Sequence, residues 1–266
     1  MGVQNGTITT LGKVGNIQGN KRTGTKKFKD FIQARKPSNK AHFNTAASMQ
    51  NVRNNAAEFG GAGLQSKALN AATAKTFLSV AGKNFHRIQK VFVSIIKLGI
   101  GIAGERPFSL SLWKSMLLGL TMGRNAFKSI CIAGYNAVLN VGRNQMTVTF
   151  PTIPANQIFA PKGATHFRIK LGFYVQSDAA YDPDSKKYVA DDPNGNIPVN
   201  ELVFSPWLPV GVDVPLPTIV DSGVSTYVVP ATDTAISILG IDFAILVGTE
   251  YNLMIGNSAG TIINVG

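Results

Sequence analysis

The sequence predicts an α+β chain. It divides into an extended basic N-terminal arm (residues 1–40), a helical middle (41–140) and a C-terminal antiparallel β-sandwich of Ig-like or jelly-roll-like type (141–266). Three observations predict this. Lys and Arg crowd the N-terminal half, apolar residues recur at helical spacing through the middle, and beyond residue 140 alternation punctuated by proline takes over. The 266 residues are 44% hydrophobic and only 15% charged, which supports a folded core rather than global disorder.

The arm begins with a Gly-rich stretch over 3–19 that holds Ile8, Leu11, Val14 and Ile17. Gly12, Gly15 and Gly19 oppose a helix, so two short extended pieces are expected. A ribbon of this kind is barely stable alone. Its four apolar residues are therefore candidates for strand exchange onto a neighbouring subunit. Residues 20–40 then carry Lys21, Arg22, Lys26, Lys27, Lys29, Arg35, Lys36 and Lys40 against the single acid Asp30.

Ser38 is a fair helix cap. Phe43, Ala46, Met49 or Gln50, Arg53, Ala56 and Phe59 recur at helical spacing after it, and Gly60-Gly61 is expected to stop that helix. Leu69, Ala72, Phe77, Val80, Phe85, Ile88, Phe92 and Ile95 predict one more helix, or two with a break at Gly82. Lys75, Lys83, Arg87, Lys90 and Lys97 mark its other face. Shorter helices are expected over 109–120 and 125–134.

Eleven of the 13 prolines lie beyond residue 150. Met146, Val148 and Phe150 alternate with threonines. Phe167, Ile169, Leu171, Phe173 and Val175 alternate with Arg168, Lys170, Gly172 and Tyr174, the mark of a half-buried strand. Further strands are expected at 202–205, 224–229, 235–239, 243–247, 251–255 and 261–265.

The net charge of +12 is unevenly spread. Residues 1–150 hold 21 Lys/Arg and 3 Asp/Glu; residues 151–266 hold 5 and 11. Such a split points to a polyanion partner or to oppositely charged surfaces that meet. Lys21 to Lys40, with Lys75, Lys83, Arg87 and Lys90, are the candidate polyanion-binding or subunit-contact residues. Phe28 and Phe31 among them suit base stacking beside phosphate neutralisation.

Motifs for chemistry are sparse. Gly99-Ile-Gly101-Ile-Ala-Gly104 spells a dinucleotide-binding fingerprint, but Pro107 follows and no acid appears for the ribose before Asp178. Asp192, Asn194 and Asn196 have the spacing of a calcium loop's first ligands, yet Ile197 stands where glycine is needed and no closing Glu follows. They form a weak cation candidate beside a plain turn reading. Cys131 lies between two isoleucines and reads as core. No nucleophile, base and orienting acid assemble, so no catalytic residue, metal centre or cofactor is expected. The N-terminus shows no cleavable signal pattern, and the apolar stretches 91–104 and 234–248 are too short to span a bilayer. Cellular address is left open.

The segment Leu11-Gly-Lys-Val-Gly-Asn-Ile-Gln-Gly19, the basic Arg35-Lys-Pro37, Asn125-Ala126-Phe127 and the closing Ile262-Ile-Asn-Val-Gly266 together resemble an uncharacterised family of small basic proteins from Bacteroidota. The resemblance covers part of the chain, which departs from it by a longer helical middle. It implies a β-rich C-terminal domain and a bacterial or phage origin, and it carries no chemical motif.

These readings converge on a non-enzymatic structural subunit that self-assembles, as a filament or shell, through its N-terminal arm. The alternative is a nucleic-acid-binding or genome-packaging coat protein that uses the basic half. Its expected partners are copies of itself and, in the alternative, nucleic acid.

Overall fold

The computed structural model describes residues 2–3, 12–14, 17–20, 31–34, 40–76, 83–192, 202–215, 219–221 and 228–266. The chain forms two compact units, Met1–Arg53 and Asn54–Gly266.

In the first unit, β1 (Gly2–Val3), β2 (Gly12–Val14), β3 (Ile17–Asn20) and β4 (Phe31–Ala34) form an antiparallel sheet in the order β1-β4-β3-β2. Val14 pairs with Ile17 at the head of the β2–β3 hairpin. Extended pieces do form where the glycines predict them. However, β2 and β3 find partners within their own chain, which corrects the picture of a wholly extended arm. Four short strands satisfy each other where two could not. Helix α1 (Lys40–Thr45) and a 3-10 turn (Ala47–Met49) follow. The Arg53 guanidinium fastens them, donating to the carbonyls of Phe43 at 2.6 Å and Ala46 at 3.0 Å.

Helix α2 (Gln50–Thr76) has its first turn in this unit and its remainder in the second. It runs straight through Gly60-Gly61, so the expected stop is corrected. Each glycine weakens a helix by about 1 kcal/mol, and packing overrides that here. The Tyr188 ring rests on Gly61, where any Cβ would collide with it, whereas Gly60 faces open space. Gly61→Ala is therefore expected to destabilise the fold by about 1–3 kcal/mol through overpacking. Gly60→Ala, one position away, should stabilise it by about 1 kcal/mol. Thermal melts of the two variants check the opposite signs.

Helix α3 (Lys83–Leu98) follows. Where a helix was expected over 109–120, only α4 (Leu110–Trp113) and a 3-10 turn (Lys114–Leu117) form. The expected 125–134 helix is likewise reduced to α5 (Phe127–Ile130).

Among the described residues, the strands of the second unit build one large sheet and three small ones. The large sheet has β8 (His166–Ser177) and β15 (Asp233–Val247) at its centre, paired over twelve positions from Asp233 opposite Ser177 to Ala244 opposite His166. β11 (Val203–Phe204) and β12 (Leu208–Pro209) border β8; β16 (Glu250–Leu253) and β17 (Ala259–Val265) border β15. β5 (Asn136–Leu139), β6 (Met146–Thr149) and β14 (Ile219–Asp221) form a three-stranded sheet. β7 (Thr152–Ile153) pairs with β13 (Val214–Pro215), and β9 (Ala179–Asp182) with β10 (Lys187–Ala190). Every pairing between these strands is antiparallel. The α+β class therefore stands. The strand expected at 224–229 falls largely on residues outside those described.

Period two sends the side chains of β8 and β15 to two different cores. Phe167, Ile169, Leu171, Phe173 and Val175 join Ala235, Leu239, Ile241 and Phe243 against Met146, Val148 and Phe150. On the opposite face Tyr174, Ile236 and Ile238 meet Leu69 of α2 and Ile88, Phe92, Ile95 and Ile96 of α3. The helices and the large sheet thus share one core and one compact unit, and residue 140 marks no break between domains.

This double covering corrects two expectations about the strands. The polar set on β8 does not face water: Lys170, Tyr174 and Gln176 are all buried. The two strands expected at 235–239 and 243–247 are one strand, buried without alternation from Asp233 to Ala244. A sheet covered on both faces loses the polar beat that sequence reading relies on.

Candidate functional site

Alternation along β8 places His166, Arg168 and Lys170 on the face that α2 and α3 cover further along the sheet, and β15 puts Asp242 opposite Arg168. Asp242 accepts from Lys170 Nζ at 2.5 Å and from Arg168 Nη2 at 3.3 Å. Lys170 and Asp242 are both buried. Burial pulls the Lys170 ammonium below its ordinary value, and the adjacent Asp242 charge opposes that shift. Arg168 is flanked by rings: its guanidinium carbon lies 4.0 Å from the Phe204 centroid and 4.7 Å from that of Trp207. Trp207 stacks on Tyr251 at 5.1 Å, and His166 meets Tyr251 edge-on at 5.0 Å. Strands β8, β11, β15 and β16 and the 205–207 connection thus supply a ladder of two cations, one carboxylate and four rings. Sequence reading missed it because its members are far apart in the chain. The one available signal was a lone acid, Asp242, inside an apolar strand, and a lone lysine, Lys170, inside another. Charges buried in a sheet are paired.

The basic residues named from sequence divide. Lys21, Arg22, Lys26, Lys27, Lys29, Arg35 and Lys36 lie outside the described residues, as do Ile8 and Leu11. Lys40, Lys75 and Lys83 sit on described helical backbone, and Val14 and Ile17 on described strands. Lys90 is exposed on α3. Arg87 is committed inward. Its guanidinium donates to the carbonyls of Gly123 at 2.8 Å and Thr121 at 3.3 Å, tying α3 to the segment beside β17.

Asp192 is half-buried and its N–H donates to Ser177 Oγ at 3.0 Å, while Asn194 and Asn196 lie outside the described residues. Among the described residues no group of three or more His, Cys, Asp or Glu gathers to hold a metal, and no helix is long and apolar enough to cross a membrane. The Gly99–Gly104 motif follows a helix, α3, rather than a strand. The next helix begins only at Leu110, so the strand–loop–helix cradle of a dinucleotide site is not formed. The loop instead closes on α2, with the Gly104 N–H donating to Glu58 Oε1 at 2.8 Å.

That loop leaves apolar side chains in water. Ile100 is 94% exposed and Ile102 72%, and downstream Leu112 is 76% exposed. Trp113, Met116 and Leu118 are exposed as well. Leu110 and Leu117 are buried, so the short helical turns anchor one side and present the other.

An open pocket is lined by Lys128, Ile132, Ala133, Gly134 and Tyr135. Beside it Cys131 is buried, and burial pushes its thiol up to about 11. The thiolate is the reactive species. Native protein at pH 8 is therefore expected to resist alkylation by iodoacetamide over hours, while urea-unfolded protein reacts within minutes. Mass spectrometry of the two samples checks this.

No protein family, curated protein or solved structure matches the chain.

Proposed function

We propose that the chain is a non-enzymatic structural subunit that assembles with copies of itself into a filament or shell. The observation that carries this reading is the exposed apolar run Ile100, Ile102, Leu112, Trp113, Met116 and Leu118. Large apolar surface left in water marks an interaction site. In this reading the N-terminal unit reaches a neighbour, and the helices pack the assembly. The large sheet, with the β5–β6–β14 and β7–β13 sheets against its Phe167–Phe173 face, forms the outer β-sandwich. The likeness to small basic Bacteroidota proteins belongs to the same proposal and adds a bacterial or phage origin.

A genome-packaging coat is the second reading, favoured by the 21 Lys/Arg against 3 Asp/Glu of residues 1–150. It predicts nucleic-acid binding that weakens steeply with salt, with a log–log slope of about −0.9 per phosphate neutralised on duplex DNA.

Size-exclusion chromatography with absorbance at 260 and 280 nm, followed by electron microscopy of the leading peak, tests both. Large particles without excess 260 nm absorbance are expected; an excess would favour the coat. A monomer peak would overturn assembly. The double variant Ile100→Lys/Ile102→Lys, altered only at exposed side chains, should keep the native melting temperature and shift the particles to smaller species.

A further inference from the structure

The large sheet closes its edges unevenly. Along β17 the outer edge is capped by the preceding segment. Gly119 N–H donates to the Ile262 carbonyl at 2.9 Å, Ile262 N–H to that of Leu120 at 3.0 Å, and Met122 N–H to that of Gly260 at 2.9 Å. Along β8 the edge is bordered by β11 and β12. Among the described residues β16 pairs with β15 alone, and all four of its residues are exposed.

The hydrogen-bond phase of this hairpin says which groups face outward. Met254 N–H donates to the Phe243 carbonyl at 2.8 Å, so positions 243 and 254 form a hydrogen-bonded pair. Antiparallel pairs alternate between bonded and non-bonded. Leu253 opposite Ala244, and Tyr251 opposite Leu246, are thus non-bonded pairs. The backbone N–H and C=O of Tyr251 and Leu253 consequently point away from β15. The Leu253 carbonyl accepts one weak turn bond from Ile255 N–H at 3.1 Å, and a carbonyl has a second lone pair. Edges of this kind are ordinarily blunted by Lys or Pro, and β16, Glu-Tyr-Asn-Leu, has neither.

We propose that β16 is a self-pairing edge, where a second copy of the chain adds its own β16 antiparallel about a two-fold axis at Asn252. This rests on the assembly reading and names one of its interfaces. In this register Tyr251 exchanges backbone bonds with Leu253 of the second copy, twice over, and the two Asn252 residues face each other. Tyr251 and Leu253 share a sheet face, so a ring and an aliphatic chain meet across the new seam, a favourable cross-strand pair. Ile255, 79% exposed, follows β16 in the chain. Charge selects the occupant. From Phe243 to Gly266 the sole charged residue is Glu250, which falls opposite Met254 of the second copy, so no like charges meet. A polyanion would find no cation on this stretch.

Disulfide trapping tests the register. The single native cysteine, Cys131, is buried and does not compete. Asn252→Cys places two thiols opposite each other in a non-bonded pair, where Cβ atoms lie about 4.5–5.5 Å apart, within reach of a disulfide after small adjustment. Mild oxidation should give a covalent dimer on a non-reducing gel. Glu250→Cys and Leu253→Cys, which do not face themselves, should give about tenfold less. Equal trapping at all three positions would overturn the proposal as random encounter. An oligomeric native protein with no trapping at Asn252→Cys would overturn it and leave assembly standing. Trapping of Asn252→Cys by a cysteine placed within residues 1–19 instead would assign the edge to the N-terminal segment and overturn self-pairing. A native protein that sizes as a monomer would sink both readings.

Discussion

Replacing Asp242 by alanine is expected to destabilise the fold by about 3–5 kcal/mol. The carboxylate pairs with two cations, Lys170 at 2.5 Å and Arg168 at 3.3 Å. Arg168 retains a route to solvent, with a quarter of its side chain exposed; Lys170 does not. Removing the carboxylate therefore takes the facing charge away from a buried ammonium between β8 and β15. Burial already draws the Lys170 proton affinity down while the Asp242 charge holds it up, so in the variant the downward pull acts with less opposition. The sign for pH follows. A lysine whose folded value is depressed binds fewer protons folded than unfolded. Stability of Asp242→Ala should then rise as pH climbs from the depressed value toward the ordinary lysine range. Replacing Lys170 by methionine and Asp242 by leucine together should recover most of the loss, because an apolar pair of similar volume has no charge to desolvate. Urea unfolding followed by far-ultraviolet circular dichroism measures all three. A loss under about 1 kcal/mol in Asp242→Ala would mean that Lys170 is hydrated.

The second large effect is expected at Phe92. This side chain is fully buried on α3 and meets Phe108 edge to face at 4.8 Å. Its cluster includes Tyr174, Ile236 and Ile238 of the sheet. Phe92→Ala should cost about 3–5 kcal/mol, the transfer of a ring plus the cavity it leaves. The shape of the transition is as informative as its midpoint. If helices and sheet share one core, circular dichroism and tryptophan fluorescence should report one coincident transition, shifted as a whole. Separate helix and sheet transitions would mean that α3 folds on its own and that the shared cluster contributes little.

How far each feature could be read in the sequence depended on what its signal responds to. The β8 alternation, Phe167 to Val175, was plain because one set of side chains enters a wholly apolar core. The meaning of the other set was not. Arg168 and Lys170 look like solvent-facing residues until Asp242, far along the chain, is placed beside them. Gly60-Gly61 looks like a stop until the Tyr188 ring fills the space above Gly61. The ladder of Arg168, Phe204, Trp207 and Tyr251 joins residues from three separated stretches, and no local pattern announces it. Helical spacing alone groups Arg87 with the surface cations, while its actual partners are carbonyls of residues 121 and 123.

Composition and periodicity by themselves determined the α+β class, the order of helices before strands beyond residue 40, the burial of Cys131 and the lopsided charge. Each of these follows from short-range sterics, from the tendency of apolar side chains to leave water, or from a count of residues. Tertiary structure alone decided that the helices cover the large sheet rather than forming a domain of their own, and that Lys170 and Asp242 neutralise each other inside it. It also decided that the loop after α3 shows its isoleucines to solvent and that, among the described residues, β16 pairs on one side only. The physical reason is that burial belongs to a place and not to a residue. Whether a polar side chain meets water or a partner, and whether a strand edge is capped or open, depends on which distant segments arrive there.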